Sequence, residues 1–249
     1  MNELGKSKIL LLVEGEKVEK ELFEHFYSLY GFENVEIIAY KSNVYAFYHR
    51  LKKDFSTKEG KIEYDFIDLP LFLNDYLNLD GERLLNEYDY QDRILIFDFD
   101  PQDPSYSAEK LQELMANFTD STERGKLYLN YPMVESFQDI SSLEDCNFES
   151  STVHFDIVKN KRGKVSEYKK VVDSKTCIPK ISDIDKDIGN RLFEIHKKKV
   201  HAIIGADLEI ETKYFRLCEI QCDKLNEESL IWVVNTSILH LFDEYGKMK

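Results

Sequence analysis

The chain has 249 residues and a formal net charge of −14, from 33 basic and 47 acidic side chains. A hydrophobic content of 43% supports a sizeable core, and 13% aromatic residues argue against a disordered chain. No apolar run reaches the roughly 18 residues of a membrane span, and the polar start lacks the apolar segment of a signal peptide, so we expect a cytoplasmic protein with no membrane contact.

The beginning of the chain alternates between strand and helix patterns. Residues 8–13, KILLLV, form a continuous apolar run of the kind found in strands that are buried on both faces. Apolar side chains then recur at helical spacing over residues 16–30. The sequence predicts a second strand over 35–40 and a second amphipathic helix over 44–55.

The middle of the chain continues the alternation after an interruption. Residues 56–92 are acidic and rich in Leu and Tyr, and we interpret them as an insertion that is helical in pieces. A third strand is predicted over 94–97, followed by a helix over 108–118. A fourth strand over 126–129 and a helix over 133–143 complete the pattern.

Strands that alternate with helices predict an α/β domain with a mostly parallel, doubly wound sheet. We place this domain over residues 1–145 and expect the remainder, 146–249, to be mainly helical. Its predicted helices cover 183–202, 208–225 and 229–245, and the Leu-rich last one would suit a homodimer contact.

Charge is distributed unevenly between the two parts. Residues 1–150 carry 15 basic and 31 acidic side chains, a net of −16, whereas residues 151–249 carry 18 and 16, a net of +2. A basic run contains Lys159, Lys161, Arg162, Lys164, Lys169 and Lys170. Such a run either contacts a nucleic-acid backbone or is solvated surface, and the sequence leaves both interpretations open.

Carboxylates follow two of the predicted strands. Glu14 and Gly15 end the first strand, and Asp98 and Asp100 end the third. In open parallel sheets, sites form outside the carboxyl ends of the strands. Strand alternation would put Asp98 and Asp100 on one side, and neighbouring strands would bring Glu14 to them. Acidic residues at strand ends are common, but this joint placement predicts a site for Mg²⁺, or Mn²⁺, that relieves the repulsion.

The segment VEGEKVEKELFEHF, residues 13–26, resembles the first motif of TOPRIM domains, in which a Glu-Gly pair ends a strand before a helix. The segment IFDFD, residues 96–100, resembles the D-x-D motif of the same family. This resemblance implies a Rossmann-like sheet with helices on both faces. It also implies that Glu14 serves in acid/base chemistry or at the metal, and that Asp98 and Asp100 bind Mg²⁺.

A narrower resemblance is to the RloB, OLD and abortive-infection branch of TOPRIM proteins, including the toxin-like subunit of the PARIS anti-phage system. It rests on EGEKVEKELF, residues 14–23, and on NYPMVESF, residues 130–137, which is similar to a later Asn-Pro…Glu motif of that branch. The resemblance implies a Mg²⁺-dependent endonuclease that cleaves DNA, RNA or tRNA in anti-phage defence. It further implies a separate ABC- or OLD-type ATPase as partner, because the chain has no P-loop.

Two further acidic residues are optional members of the catalytic set. Glu19 lies in the first turn of a predicted helix, where a negative charge is stabilised by roughly 0.3–1 kcal/mol, so a structural role explains it as well as a catalytic one. Glu135 follows the predicted fourth strand, a position that is compatible with a catalytic role beside Glu14 and equally with a structural role. A different class of function also fits: a catalytically silent TOPRIM-fold subunit that acts through protein contacts.

Overall fold

A five-stranded sheet lies at the centre of the protein. Its strands are β1 (Lys8–Val13), β2 (Val35–Ala39), β3 (Tyr90–Asp98), β4 (Thr119–Asp120) and β5 (Gly125–Asn130). The strand order is β2-β1-β3-β5-β4, and all neighbours are parallel except β4, which pairs antiparallel with β5. The predicted α/β class with a mostly parallel sheet is therefore confirmed.

This description comes from a computed structural model, which describes residues 8–144, 147–158, 166–205 and 208–246. Within those ranges, every helix is too short or too polar to cross a lipid bilayer. One hydrophobic core cluster includes residues from the sheet and from the C-terminal helices.

Helices cover both faces of the sheet. Helices α1 (Val18–Leu29), α2 (Val44–Asp54), α3 (Leu69–Leu77) and α4 (Ala108–Asn117) come from the strand-rich part of the chain. On one face, Phe97 of β3 packs against Phe47 of α2, and Phe47 in turn contacts Phe72 of α3 and Phe118 at the end of α4. On the other face, α1 packs against the C-terminal helices.

Two N-caps fix where helices begin. The Asn43 side chain accepts a hydrogen bond from the backbone N–H of Ala46, and the Ser107 hydroxyl accepts one from Lys110. Each cap satisfies an amide at the start of its helix, α2 and α4 respectively. Both helices begin where the sequence predicts, and this sets the path of the loops that leave β2 and β3.

The predicted insertion is helical in pieces, as expected: it contains α3 and short 3₁₀ turns. The third strand differs from the prediction because it starts at Tyr90, four residues early. Those extra residues are polar, and Asp92 is held by side chains of Ser121 and Tyr245. Because polar residues interrupt the apolar run at the start of this strand, the sequence pattern does not indicate that the strand begins at Tyr90.

The C-terminal part is mainly helical, and it also contains two short antiparallel strands that are distant in the sequence. Its elements are β6 (Thr152–His154), α5 (Phe155–Val158), α6 (Glu167–Lys175), α7 (Lys186–Ile204), α8 (Ile210–Glu228), β7 (Leu230–Trp232) and α9 (His240–Tyr245). The helices predicted over 183–202 and 208–225 correspond to α7 and α8.

The helix predicted over 229–245 is wrong. Ser229 adopts a left-handed conformation with φ 57° and ends α8, and the chain then forms β7, an irregular segment and only the short α9. Ile231, Ile238 and Leu241 are buried within the chain itself. The apolar residues of this segment therefore pack inside the protein, which removes the argument for a dimer contact through one Leu-rich helix.

The helix predicted over 133–143 is also wrong, because the structure has only a 3₁₀ turn over Val134–Gln138. The backbone carbonyl of Val134 accepts a hydrogen bond from the Asn235 side chain, and that of Ile140 accepts one from the amide of Cys177. Distant segments thus satisfy backbone groups that a continuous helix would have used internally.

Candidate metal centre

The candidate site lies at the carboxyl ends of β1 and β3, which are neighbours in the sheet. From β1 the chain moves to β2 on one side, and it returns through β3 on the other, so this is the point where the winding changes direction. Glu14 directly follows β1, and Asp98 is the last residue of β3. The Glu14 carboxylate accepts a hydrogen bond from the Asp98 backbone N–H, with Oε2 and N 3.1 Å apart.

Asp98 is a buried carboxyl group in an acidic environment. Its Oδ1 accepts a hydrogen bond from the side-chain amide of Asn130 at 3.3 Å. Burial raises the pKa of Asp98 well above its ordinary value, and the nearby charges of Glu14 and Asp100 raise it further. The fold therefore holds this carboxyl group where an ionised state needs a compensating positive charge.

Glu14 experiences the same environment. Burial is the main cause that raises its pKa well above the ordinary value, and the charge of Asp100 adds to it. The hydrogen bond from the Asp98 amide acts in the opposite direction by stabilising the ionised form. Glu14 and Asp98 thus interact through space as well as through the backbone, as their placement at adjacent strand ends predicts.

Asp100 joins the site by a route that the sequence did not predict. Strand β3 ends at Asp98, and Asp100 adopts a left-handed conformation with φ 43°, so strand alternation does not place it. Its carboxylate accepts a hydrogen bond from Gln102 at 2.8 Å. Burial, followed by the charges of Asp103 and Glu135, raises its pKa. The expected proximity to Asp98 is present, but a turn produces it.

Asp103 extends the acidic group along the same loop. Its Oδ2 accepts a hydrogen bond from the Asn43 side chain at 2.7 Å, and its Oδ1 accepts one from the Ser105 amide at 2.7 Å. Asn43 is also the cap of α2, so one residue links the start of this helix to the loop after β3. The bond from the Ser105 amide is typical of an Asp side chain in a turn, and the charge of Asp103 also raises the pKa of Glu14.

Glu19 lies against the backbone of Gly15 rather than at the helix surface. The Gly15 N–H donates to Glu19 Oε1 at 3.1 Å, and Glu19 is only 8% exposed. A Cβ atom at position 15 would lie 2.7 Å from Glu19 Oε2. The carboxylate of Glu19 therefore fills the space that the absent side chain of Gly15 leaves. Burial, then the charge of Glu135, raises the Glu19 pKa.

Glu135 brings a lysine to the site. It is 7% exposed, and its Oε1 accepts a hydrogen bond from the Lys169 ammonium at 2.7 Å. This contact raises the pKa of Lys169, so the lysine stays charged. Lys169 belongs to the basic run, and it contacts the acidic site, whereas Lys170 pairs with Glu167 on its own helix.

The other basic residues proposed to contact nucleic acid cannot be placed. Lys159, Lys161, Arg162 and Lys164 lie outside the described residues. The structure describes the run only from Ser166 onward.

Asn130, which the sequence placed in the NYPMVESF motif without a role of its own, is also a site residue. It is fully buried, donates to Asp98, and accepts a hydrogen bond from the Ser237 backbone N–H at 3.2 Å through Oδ1. Its position at the end of β5, at the start of the NYP segment, is the sequence signal that could have indicated its role. Nothing in the sequence indicates its partner Ser237, which lies 107 positions away.

Comparisons with protein-family models, with curated proteins and with solved structures return no match to this chain. The TOPRIM resemblance therefore remains a prediction that rests on the motifs, and the site has to be judged on its own geometry.

The donor set suits a hard divalent cation, with one qualification. Asp98 is buried, and Glu14 and Asp100 are partly buried. The charge of Asp100 raises the pKa of both Glu14 and Asp98, and Mg²⁺ prefers such carboxylates together with water. Within the described residues, however, no group of three His, Cys, Asp or Glu side chains is arranged ready to hold a metal ion. Binding therefore requires the carboxylates to rotate toward a common centre.

Proposed function

We propose that this protein is a Mg²⁺-dependent endonuclease of the TOPRIM type. The observation that carries the proposal is the convergence of Glu14, Asp98 and Asp100 at the switch point between β1 and β3. Their mutual repulsion and burial favour either protonation or a bound cation. A bound Mg²⁺ or Mn²⁺ would stabilise the negative charge that develops on a phosphodiester during hydrolysis.

Each residue of the site has a distinct role in this proposal. Asp98 and Asp100 would hold the ion. Glu14, whose pKa burial raises well above its ordinary value, would accept a proton from the attacking water and release it later. Asn130 fixes the orientation of the Asp98 carboxylate by donating to Oδ1, so it is a positioning residue.

Lys169 is the described member of the basic run that best suits a substrate phosphate. Its ammonium lies on the rim of the acidic site, 35% exposed and bonded to Glu135. A phosphate group that approaches Asp98 would find this positive charge nearby, and Glu135 keeps the charge in place. Glu19 and Glu135 would then tune the charge of the site instead of contacting the reacting atoms.

The biological setting follows from the resemblance alone. RloB, OLD and PARIS-like relatives imply an effector of bacterial anti-phage defence, with nucleic acid as substrate and a separate ATPase as partner. The chain itself has no GxxxxGK[ST] motif that would bind the nucleotide of such an ATPase.

The test is cleavage of plasmid DNA and of tRNA with and without Mg²⁺, by the protein alone and together with any ATPase that a neighbouring gene encodes. We expect the Glu14→Gln variant to lose activity by about 10²-fold or more, because removal of a general base typically costs that much. Glu16→Gln is the matched control, since Glu16 is exposed and pairs with Lys41. A wild-type protein that cleaves neither substrate under any of these conditions contradicts the nuclease proposal.

The alternative is a catalytically silent TOPRIM-fold subunit. It is favoured by the finding that, in the described part of the chain, no three His, Cys, Asp or Glu side chains are positioned to coordinate a metal ion together. Under this alternative, Glu14→Gln leaves every measured property of the protein unchanged except its stability.

A further inference from the structure

An open groove crosses the insertion between α2 and β3. It has a volume of about 890 Å³ and lies between the end of α2, helix α3 and residues 84–88. Of the six large apolar side chains that are exposed in the described part of the chain, four line this groove. They are Phe66, Leu71, Leu84 and Tyr88, with exposed fractions of 72%, 60%, 52% and 88%.

Such a concentration of exposed apolar side chains is unusual on a protein surface. Single exposed apolar residues need no explanation, but a contiguous patch commonly marks a site of contact with another molecule. The two remaining exposed apolar residues, Val171 and Leu208, lie in other parts of the sequence and line no part of the groove. The patch is therefore a local property of the insertion.

The rim of the groove is negatively charged. Its lining includes Asp54, Asp68, Asp75 and Glu87, and none of the described residues that line it is Lys or Arg. Asp54 is paired with Arg50, which lies outside the lining. A hydrogen bond between the Asp68 and Glu87 side chains raises the pKa of Glu87. Two carboxyl groups held together in this way favour a positive charge beside them.

The groove lies near the amino end of β3, whereas the candidate metal site lies at the carboxyl ends of β1 and β3. Helix α2 is capped by Asn43, which bonds to Asp103 beside the site, and it ends at Asp54, which lines the groove. Strand β3 begins two residues after Tyr88 and ends at Asp98, and a nine-residue strand spans roughly 26 Å. A molecule bound in the groove would leave the carboxylates of the site accessible.

We propose that this groove binds a segment of a partner protein in which apolar side chains alternate with Lys or Arg. The apolar residues would cover Phe66, Leu71, Leu84 and Tyr88, and the basic ones would meet Asp68, Asp75 and Glu87. A second copy of this chain fits poorly, because each copy carries a net charge of −14 and the two would repel. The inference depends on the insertion alone and holds whether or not the site is a nuclease.

The experiment measures binding of two labelled peptides by fluorescence anisotropy. One is an amphipathic peptide of Leu and Lys, and the other has Glu in place of every Lys. We expect the Lys peptide to bind the full-length protein and the Glu peptide to bind at least tenfold more weakly, because like charges at an interface are strongly disfavoured. Leu71→Ser and Asp75→Lys should each weaken the Lys peptide about tenfold.

Both variants change exposed residues, so they are expected to fold normally, and circular dichroism checks this. Leu208→Ser and Glu59→Lys are the matched controls, since they make the same kinds of change at exposed positions outside the groove. An equal loss in Glu59→Lys would mean that net charge alone drives binding, and an equal loss in Leu208→Ser would mean that the peptide does not bind specifically in the groove; either result would overturn the proposal. Absence of binding to the wild type would also overturn it, as would a dimer, detected by sedimentation, that Leu71→Ser disrupts.

Discussion

At the scale of single residues, Gly15 and Glu19 illustrate how closely the site is packed. The Glu19 carboxylate lies on the Gly15 backbone, and the space that a side chain at position 15 would need is taken by its oxygens. The backbone conformation of Gly15 is open to other residues, so the end of the Glu19 side chain is what a side chain at position 15 would have to displace. The pair fixes the first turn of α1 against the end of β1.

We predict that Gly15→Ala lowers the free energy of unfolding by about 1–3 kcal/mol, because the added methyl group must displace Glu19. Urea denaturation measures this. In the Glu19→Ala variant the obstructing carboxylate is absent. Adding Gly15→Ala to that variant should therefore lower the free energy of unfolding much less than it does in the wild type. If the cost of the alanine is the same in both backgrounds, the close contact is not its cause.

The sequence could predict Glu14 and Asp98 because both depend only on where a buried strand ends. It could not predict how Asp100 reaches the site, since a left-handed turn residue carries no periodic signal. Lys169 was visible as part of a basic run, but its contact with Glu135 joins segments 34 positions apart. Pairings of this kind depend on tertiary packing, and local patterns do not contain them.

At the scale of secondary structure, the segment between β7 and α9 braces the end of β5. The Thr236 hydroxyl donates to the Leu129 carbonyl at 2.7 Å, and the Ser237 amide donates to Asn130. Tyr131 and Val234 form an isolated antiparallel bridge. A segment near the C-terminus thus holds Asn130, which in turn donates to Asp98.

We predict that Asn130→Ala lowers the free energy of unfolding by about 1–3 kcal/mol, because it leaves the buried Ser237 amide without its acceptor. It should also weaken Mg²⁺ binding by about 10–100-fold, the usual effect of losing a residue that orients a metal ligand. Calorimetric titration measures the affinity. Asn117→Ala is the control, because its side chain bonds only within α4, and it should leave Mg²⁺ affinity unchanged.

The bracing segment also explains which elements the sequence could predict. Helices α1, α2 and α4 have amphipathic patterns and start signals that are local, and they lie where expected. The segments 133–143 and 229–245 have helical apolar spacing too, but their backbone groups bond to each other and to distant strands. Apolar spacing shows which side chains are buried, and it does not show which partner their backbone prefers.

At the scale of the whole molecule, two buried histidines lie in the C-terminal part, and one of them, His240, bonds it to helix α1. Nδ1 of His240 donates a hydrogen bond to the Ser237 carbonyl, and Nε2 accepts one from the Tyr27 hydroxyl. His196 accepts one from the Asn235 amide through Nδ1. Burial lowers the pKa of His240 to about 4 and that of His196 to about 3. Both rings are neutral in the folded protein.

We predict that these histidines destabilise the fold in acid. The unfolded chain takes up protons on His near pH 6.5 and the folded chain does not, so stability falls as the pH drops from 6.5 toward 4 by about 1.4 kcal/mol per unit for each residue. Urea denaturation at several pH values measures this slope. His240→Gln should flatten it, whereas His49→Gln, on the exposed surface, should not. Equal slopes in all three proteins contradict the prediction.

At the scale of the whole molecule, the central proposal is that one divalent cation binds between Glu14, Asp98 and Asp100. Anomalous diffraction from crystals soaked in Mn²⁺ tests this most directly. We predict a peak at coordination distance, roughly 2.1 Å, from oxygens of Glu14 and Asp98, and its loss in Asp98→Asn crystals. Saturating Mn²⁺ with no peak between these two carboxylates would contradict the central claim.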